Sequence, residues 1–184
     1  MARALAATSP LRDGEVVLLP AGRDVAALLV AASHDSEITR WTQVPENLTY
    51  LDATLITAGW TMQSTTTARF QVSIAERAPA GMVTVWINAE NEAEVGYWLL
   101  AQARGRGVAR RAVRLLCTWS FEVCRLDRLQ LTTLPGNVAS EMVAQACGFH
   151  REGTLVRDIK GTSRTLDLWV LEAAESLAEA VSAR

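Results

Sequence analysis

The chain has few of the features that would assign it quickly. It carries only three cysteines, Cys117, Cys124 and Cys147, an odd set with no metal-like spacing. All three fall in amphipathic helical patterns, which predicts buried free thiols and a reducing, cytoplasmic setting rather than a disulfide framework. There is no excess of positive charge: the formal net charge is −2 and the pI about 5.7. That excludes a global basic footprint for nucleic acid, so any anion site must be local. No apolar run is long enough to cross a bilayer, although 49% of residues are hydrophobic. The first ten residues lack a sustained apolar stretch, which predicts a flexible lead-in and not a signal peptide. The two histidines, His34 and His150, are far apart, and no His/Cys/Asp cluster suggests a metal.

Repeats, low-complexity linkers and shifts in composition are also missing. At 184 residues the chain reads as one domain over 11–172, with a C-terminal helix or tail over 173–184. Periodicity supplies the elements. A strand over Glu15–Leu19 leads to a helix over Val25–Ser33, for which Asp24 is the expected N-cap. Ile38–Pro45 reads as a loop of bulky residues, and Leu51–Met62 as a second helix. Arg69–Ala75, Met82–Ile87 and Val95–Leu100 alternate as three strands with short turns, an antiparallel meander. A helix over Val108–Arg125, a strand over Arg128–Thr133 and a helix over Val138–Cys147 follow, with Gly148 placed as a C′ glycine. Phe149–Val156 and Arg164–Leu171 close the chain as strands turned at Lys160-Gly161. A strand–helix–strand unit inside a mostly antiparallel, mixed sheet of about seven strands is an α+β arrangement.

What is present in concentration is one basic, glycine-rich turn, Arg104-Gly105-Arg106-Gly107-Val108-Ala109, between a strand and a long helix. Arg104, Arg106, Arg110 and Arg111 crowd a helix N-terminus. Cations there oppose the helix dipole by ~0.3–1 kcal/mol each, a conflict that a bound polyanion would relieve and that a solvated arginine face would leave standing. The glycines allow close backbone approach, and helix-start N–H groups lack partners. A P-loop would need Gly-Lys-Ser/Thr at its end, and a dinucleotide fingerprint would need a glycine at Arg110. Neither is met. The acyl-CoA pyrophosphate pattern Gln/Arg-x-x-Gly-x-Gly/Ala fits from Arg104. It fits also from Gln102, but the first frame leaves Val108-Ala109 to open the helix.

Four stretches in this order resemble the GCN5-related N-acetyltransferases (GNAT), and within them the RimJ/RimL branch that acetylates ribosomal-protein N-termini. They are Ala93–Leu99, Arg104–Ala109, Pro135–Ser140 and Cys147–Gly153, within a likeness running roughly from Leu11 to Glu172. The resemblance implies a sheet whose fourth and fifth strands splay apart, with the cofactor loop between the fourth strand and the third helix. Backbone amides of Arg104, Gly105, Arg106, Gly107, Val108 and Ala109 would hold the pyrophosphate of acetyl-CoA. Trp98, Leu99 and Leu100 would pair with the pantetheine, and an amide near Leu99 or Leu100 would polarise the thioester carbonyl.

By the same resemblance Asn137 would hold the pantetheine arm. The tyrosine that many members carry on the following helix falls at Ala144, and Ser140 would take its place as acid. Asn137 is equally a good N-cap, and serine is common in a first helical turn. Glu94 and Asp158 are the candidate bases, with Glu152 read as a brace. The implied reaction is direct attack of a primary amine on the thioester, releasing coenzyme A and needing no metal. The acceptor is a peptide N-terminus or a small-molecule amine, chosen by 37–60 and 156–164. Trp41, Trp60 and Trp86 are candidate pocket walls, while Trp86, Trp119 and Trp169 lie in elements that face the core. No nucleic-acid or membrane partner is implied, and a homodimer is compatible. Two other readings stay open: an acyl-CoA-binding module without transfer, and an aminoglycoside-type resistance acetyltransferase.

Overall fold

Alternating apolar residues build one sheet that separates two helical layers. A computed structural model describes residues 5–60, 62–75, 77–89 and 92–173, so most of the expected C-terminal helix or tail lies outside the described residues. The strands are β1 (Leu11–Asp13), β2 (Val16–Pro20), β3 (Thr67–Ile74), β4 (Gly81–Ile87), β5 (Ala93–Leu99), β6 (Arg128–Thr133), β7 (His150–Ile159) and β8 (Thr162–Glu172). The helices are α1 (Ala26–Ser33), α2 (Ser36–Trp41), α3 (Tyr50–Thr57), α4 (Val108–Glu122) and α5 (Val138–Ala146). The sheet order is β1-β2-β3-β4-β5-β6-β8-β7. Every neighbouring pair is antiparallel except β5 and β6.

The parallel pair makes the site. β5 and β6 are in register only at Glu94↔Gln130 and Val95↔Leu131. Beyond Val95 they part, leaving backbone groups of β5 without a strand partner on that side. Alternation then sorts the side chains into two faces. One face carries Phe70, Val83, Val85, Val95 and Leu99, packed on Val113, Leu116 and Trp119 of α4 in the main core. Phe70 meets Trp119 edge-on with ring centroids 5.3 Å apart. The other face presents Trp98 to a smaller cluster built from Leu29, Ile38, Leu48 and Ala53 of the α1–α3 layer. Leu5 and Ala7, within the expected lead-in, are buried in the main core.

The structure corrects the sequence reading at several points. The sheet has eight strands; the extra one, β1, is three residues long and pairs with β2 across the Gly14 turn. The bulky stretch after Ser33 is partly helical, because the Asp35 carboxylate accepts from the amides of Glu37 (3.1 Å) and Ile38 (3.3 Å) and caps α2. The second predicted helix starts at Tyr50, under a capping box from Thr49 and Asp52, and ends at Thr57 rather than Met62. Asp24 does not cap α1, which opens after a short 3₁₀ turn; its carboxylate instead accepts from Gln71 Nε2 at 3.2 Å. Of the tryptophans read as core-facing, Trp119 and Trp169 are buried, while Trp86 lines a cleft. The three cysteines are buried, with no disulfide among the described residues. No helix among the described residues is long and apolar enough to cross a membrane.

Candidate active site

A cleft of about 1200 Å³ runs through the gap between β5 and β6. It gathers Glu94, Trp98 and Leu99, the loop that opens α4, and the Asn137–Ser140 turn. At its loop end Gly105 and Gly107 have φ of +70° and +71°, where any side chain is strained, and a Cβ on either would meet nothing within 4 Å. The open side of the loop is therefore free for a ligand. Gly107 is the N-cap of α4 and, being glycine, offers no side-chain cap; the first turn holds no acidic residue. The leading amides of a 15-residue helix are left for an external acceptor, the arrangement that binds phosphate.

The four arginines expected around this turn divide. Arg104 turns inward: its Nε donates to the Leu99 carbonyl (2.9 Å) and its Nη2 to Asp35 (2.7 Å). Burial pushes the Asp35 carboxyl up, but the Arg104 guanidinium and the amides of Ile38 and Glu37 outweigh it and hold the group below its ordinary value. Asp35 thus caps α2 and anchors the loop at once. Arg111 pairs with Asp13 at 3.4 Å. Arg106 and Arg110 are exposed, without an ion pair among the described residues, and they remain to face an anion.

Just past β5, the Leu100 amide donates to the Ala80 carbonyl at 2.8 Å. Alternation turns the Leu99 amide to the opposite edge, into the gap. Of the two amides proposed from sequence for polarising a carbonyl, only that of Leu99 faces the cleft. Asn137 is the N-cap of α5, its Oδ1 accepting from the Ser140 amide at 3.2 Å, so the capping alternative holds whatever else its side chain does. Ser140 has an unforeseen partner. The Tyr97 hydroxyl donates to Ser140 Oγ at 3.1 Å. Burial pushes the Tyr97 phenol up to about 12, against a smaller lowering by the Ser140 hydrogen bond. Ala144, where a helix tyrosine would stand, is buried in the main core. The signal for Tyr97 was parity: it alternates with Gly96 and Trp98 and so faces α5, opposite to Glu94.

Glu94 sits on the other face of β5 and is 2% exposed. Its carboxylate accepts from Arg157 Nη1 (2.5 Å), Thr132 Oγ1 (2.8 Å) and Asn88 Nδ2 (3.4 Å). Trp86 of β4 is directly opposite Glu94, and its ring edge lies over Gly96, where an added Cβ would come within 2.9 Å. Asp158 is not brought to Ser140. It is exposed at the β7–β8 turn, where its Oδ1 accepts from the Gly161 amide at 2.7 Å. The two segments expected to select the acceptor do meet: Lys160 Nζ donates to the Thr39 carbonyl (2.5 Å) and Gln43 Nε2 to the Asp158 carbonyl (3.5 Å). Trp41, Trp60 and Trp86 all line this side of the cleft.

Comparison with known proteins agrees with this geometry. Residues 16–150 match the acetyltransferase (GNAT) domain family. Over 66 residues the chain is 34% identical to "Probable N-acetyltransferase YjcK" of Bacillus subtilis, covering 36% of each chain. Over 62 residues it is 37% identical to "Putative ribosomal N-acetyltransferase YdaF" of the same organism, covering 34% of each. The matched part thus spans about a third of these curated relatives. Among solved structures, RimL, a ribosomal L7/L12 alpha-N-protein acetyltransferase in complex with coenzyme A, superposes with a TM-score of 0.78 at 17% identity. That superposition covers 89% of this chain and 98% of RimL and shows a shared fold.

Proposed function

The chain belongs to the acetyltransferase (GNAT) domain family, and from that premise we propose that it transfers the acetyl group of acetyl-CoA to a primary amine. The observation that carries the reading is the uncapped start of α4, behind two left-handed glycines, beside the opening between β5 and β6. The residues fit the donor. The amides of Val108 and Ala109, with the backbone of 105–107, would hold the pyrophosphate, and Arg106 and Arg110 would balance its charge; the Arg104 amide, expected among these groups, donates instead to the Ala101 carbonyl at 3.2 Å. Trp98 and Leu99 would flank the pantetheine and Asn137 would meet its arm. Acetyl-CoA supplies an activated acetyl carbonyl and a thiolate leaving group.

The remaining chemistry is the protein's. The amine nitrogen forms a bond to the carbonyl carbon, the carbon–sulfur bond breaks, and the amine proton ends on sulfur. The Leu99 amide donates to the carbonyl oxygen as negative charge grows there. Ser140, whose oxygen is occupied by the Tyr97 hydroxyl, is left with its own proton free to donate toward the departing sulfur. Tyr97 is therefore a positioning residue. Glu94, held by Arg157 and Thr132, orients the incoming ammonium, which gives one proton to solvent before its nitrogen attacks, and Asp158 braces the hairpin turn. A peptide N-terminus and a small-molecule amine are both acceptors in this scheme.

The full engagement of Glu94 favours a second reading, an acyl-CoA-binding module that transfers nothing. Thiol release from acetyl-CoA, measured across a panel of peptide N-termini, polyamines and aminoglycosides, separates the two. Release with at least one amine, with mass spectrometry showing the acetylated product, supports transfer. Binding of acetyl-CoA with every amine untouched supports the second reading.

A further inference from the structure

The acceptor side of the cleft holds a cation that forms no ion pair among the described residues. Arg69 of β3 is half-buried, and its guanidinium carbon lies 4.4 Å from the centre of the Trp60 ring. Its side chain makes no hydrogen bond or ion pair among the described residues, and desolvation lowers its pKa. Two carboxylates on this face of the sheet have other hydrogen-bond partners. Asp24 accepts from Gln71 Nε2, two residues along the same strand, and Glu94 from Arg157 and Thr132. A half-buried guanidinium is a strong recogniser of planar anions, and the stacked ring fixes its plane while leaving its edge donors free. Its neighbours in the cleft wall, Ile56, Trp60, Met82 and Trp86, are apolar or aromatic.

Register fixes where this cation stands. Arg69 is paired with Thr84, and Thr84 with Gly96, so the three form one row on one face of the sheet. Gly96 adjoins the gap between β5 and β6. Two interstrand spacings put the Arg69 backbone roughly 10 Å from it. Resting on the transfer reading above, we infer that Arg69 receives a carboxylate of the acceptor. The acceptor is then an amine on an apolar or aromatic body, with a carboxylate several bonds away. Its ammonium end faces Glu94 and its carboxylate end faces Arg69. Such a floor is dipolar and disfavours polyamines and aminoglycosides, whose charges are all positive. An acidic side chain near a peptide N-terminus and a free amino carboxylate share the required chemistry.

Two matched pairs test the inference and separate the sources. One is 4-(aminomethyl)benzoate and its carboxamide; the other is a short peptide with Glu or Gln at its second position. Acetylation and calorimetric binding in the presence of coenzyme A are measured for each. We expect the acid member of at least one pair to exceed its amide more than tenfold in kcat/KM and in affinity. In Arg69→Met that ratio should fall below threefold, while Arg69→Lys keeps part of it; unchanged acetyl-CoA binding and thermal unfolding certify both folds. Acid and amide used and bound alike by the unaltered protein, or a ratio that survives Arg69→Met, overturns the assignment. Selective binding lost in Arg69→Met, without acetylation of either member, upholds the carboxylate site and overturns the transfer reading alone.

Discussion

Tyr97 and Ser140 show how far single residues can be read before their surroundings are known. Ser140 and Asn137 stand out in sequence because a helix start, an asparagine and a serine three residues later form a local pattern. Nothing in the stretch around Tyr97 announces its contact, since its partner lies 43 residues away. Asp158 misleads in the opposite direction: a carboxylate near an expected acceptor hairpin is equally what a tight turn needs, and the turn holds it. If Tyr97 orients Ser140, Tyr97→Phe should lower kcat roughly tenfold, the loss of one hydrogen bond's free energy in the transition state. KM for acetyl-CoA should stay within about twofold, since the phenol is not asked to bind it. The raised pKa adds a second readout. Burial stabilises the neutral phenol, so the stability it links to pH is intact below an ordinary tyrosine value of 10 and is lost as pH rises through about 12. In thermal unfolding, the difference between native protein and Tyr97→Phe should be flat below that ordinary value and fall above it.

At the scale of elements, legibility followed length. α4 is 15 residues long with one apolar face and was plain in the sequence. α2 and β1 are six and three residues long, too short for either period to repeat. Each is held by a contact that periodicity does not encode, the Asp35 cap and the pairing across Gly14. The same shortness hid the link between α2 and the loop. Asp35 serves both, so Asp35→Ala should destabilise the fold by about 1–2 kcal/mol through the lost cap. It should also weaken acetyl-CoA binding, because Arg104 is released from one of its two anchors. The stability that Asp35 contributes is present above its ordinary value of 3.8 and lost as pH falls through its lower folded value. Urea unfolding with a calorimetric titration of the variant checks both effects, and a destabilised variant with unaltered binding would detach Asp35 from the loop.

The whole molecule is a sheet opened along one seam, and topology decides what enters from where. The strand order was largely readable, because short turns force antiparallel neighbours and the strand–helix–strand unit forces the parallel pair. The width of the seam was not, since it depends on where β5 and β6 stop pairing. That stopping point places the donor loop, Tyr97 and Ser140 against α4 and α5, and Glu94, Arg69 and Trp86 on the other face. On the proposed reading, two substrates reached from opposite faces would meet without a covalent stop on the protein. Two of the three thiols are suppressed as nucleophiles. Burial pushes the Cys117 thiol well up and the Cys124 thiol up to about 11, and Ser140 has a phenol, not a base, as its partner. Initial-velocity plots should therefore intersect, and intact-mass spectra with acetyl-CoA alone should show no acetylated protein. Parallel lines, or a protein heavier by one acetyl group, would contradict direct transfer.

The central claim is that the turn at Gly105–Ala109 binds acetyl-CoA through the exposed start of α4, and calorimetric titration of acetyl-CoA into native protein and Gly107→Glu tests it most directly. The substitution sets bulk and negative charge where the phosphates would lie, and circular dichroism certifies that α4 persists. The account predicts saturable one-to-one binding to the native protein and a loss of at least about a hundredfold in the variant, as expected for an unpaired carboxylate pressed against phosphate. Equal binding by the two proteins, or none by the native protein, would contradict it.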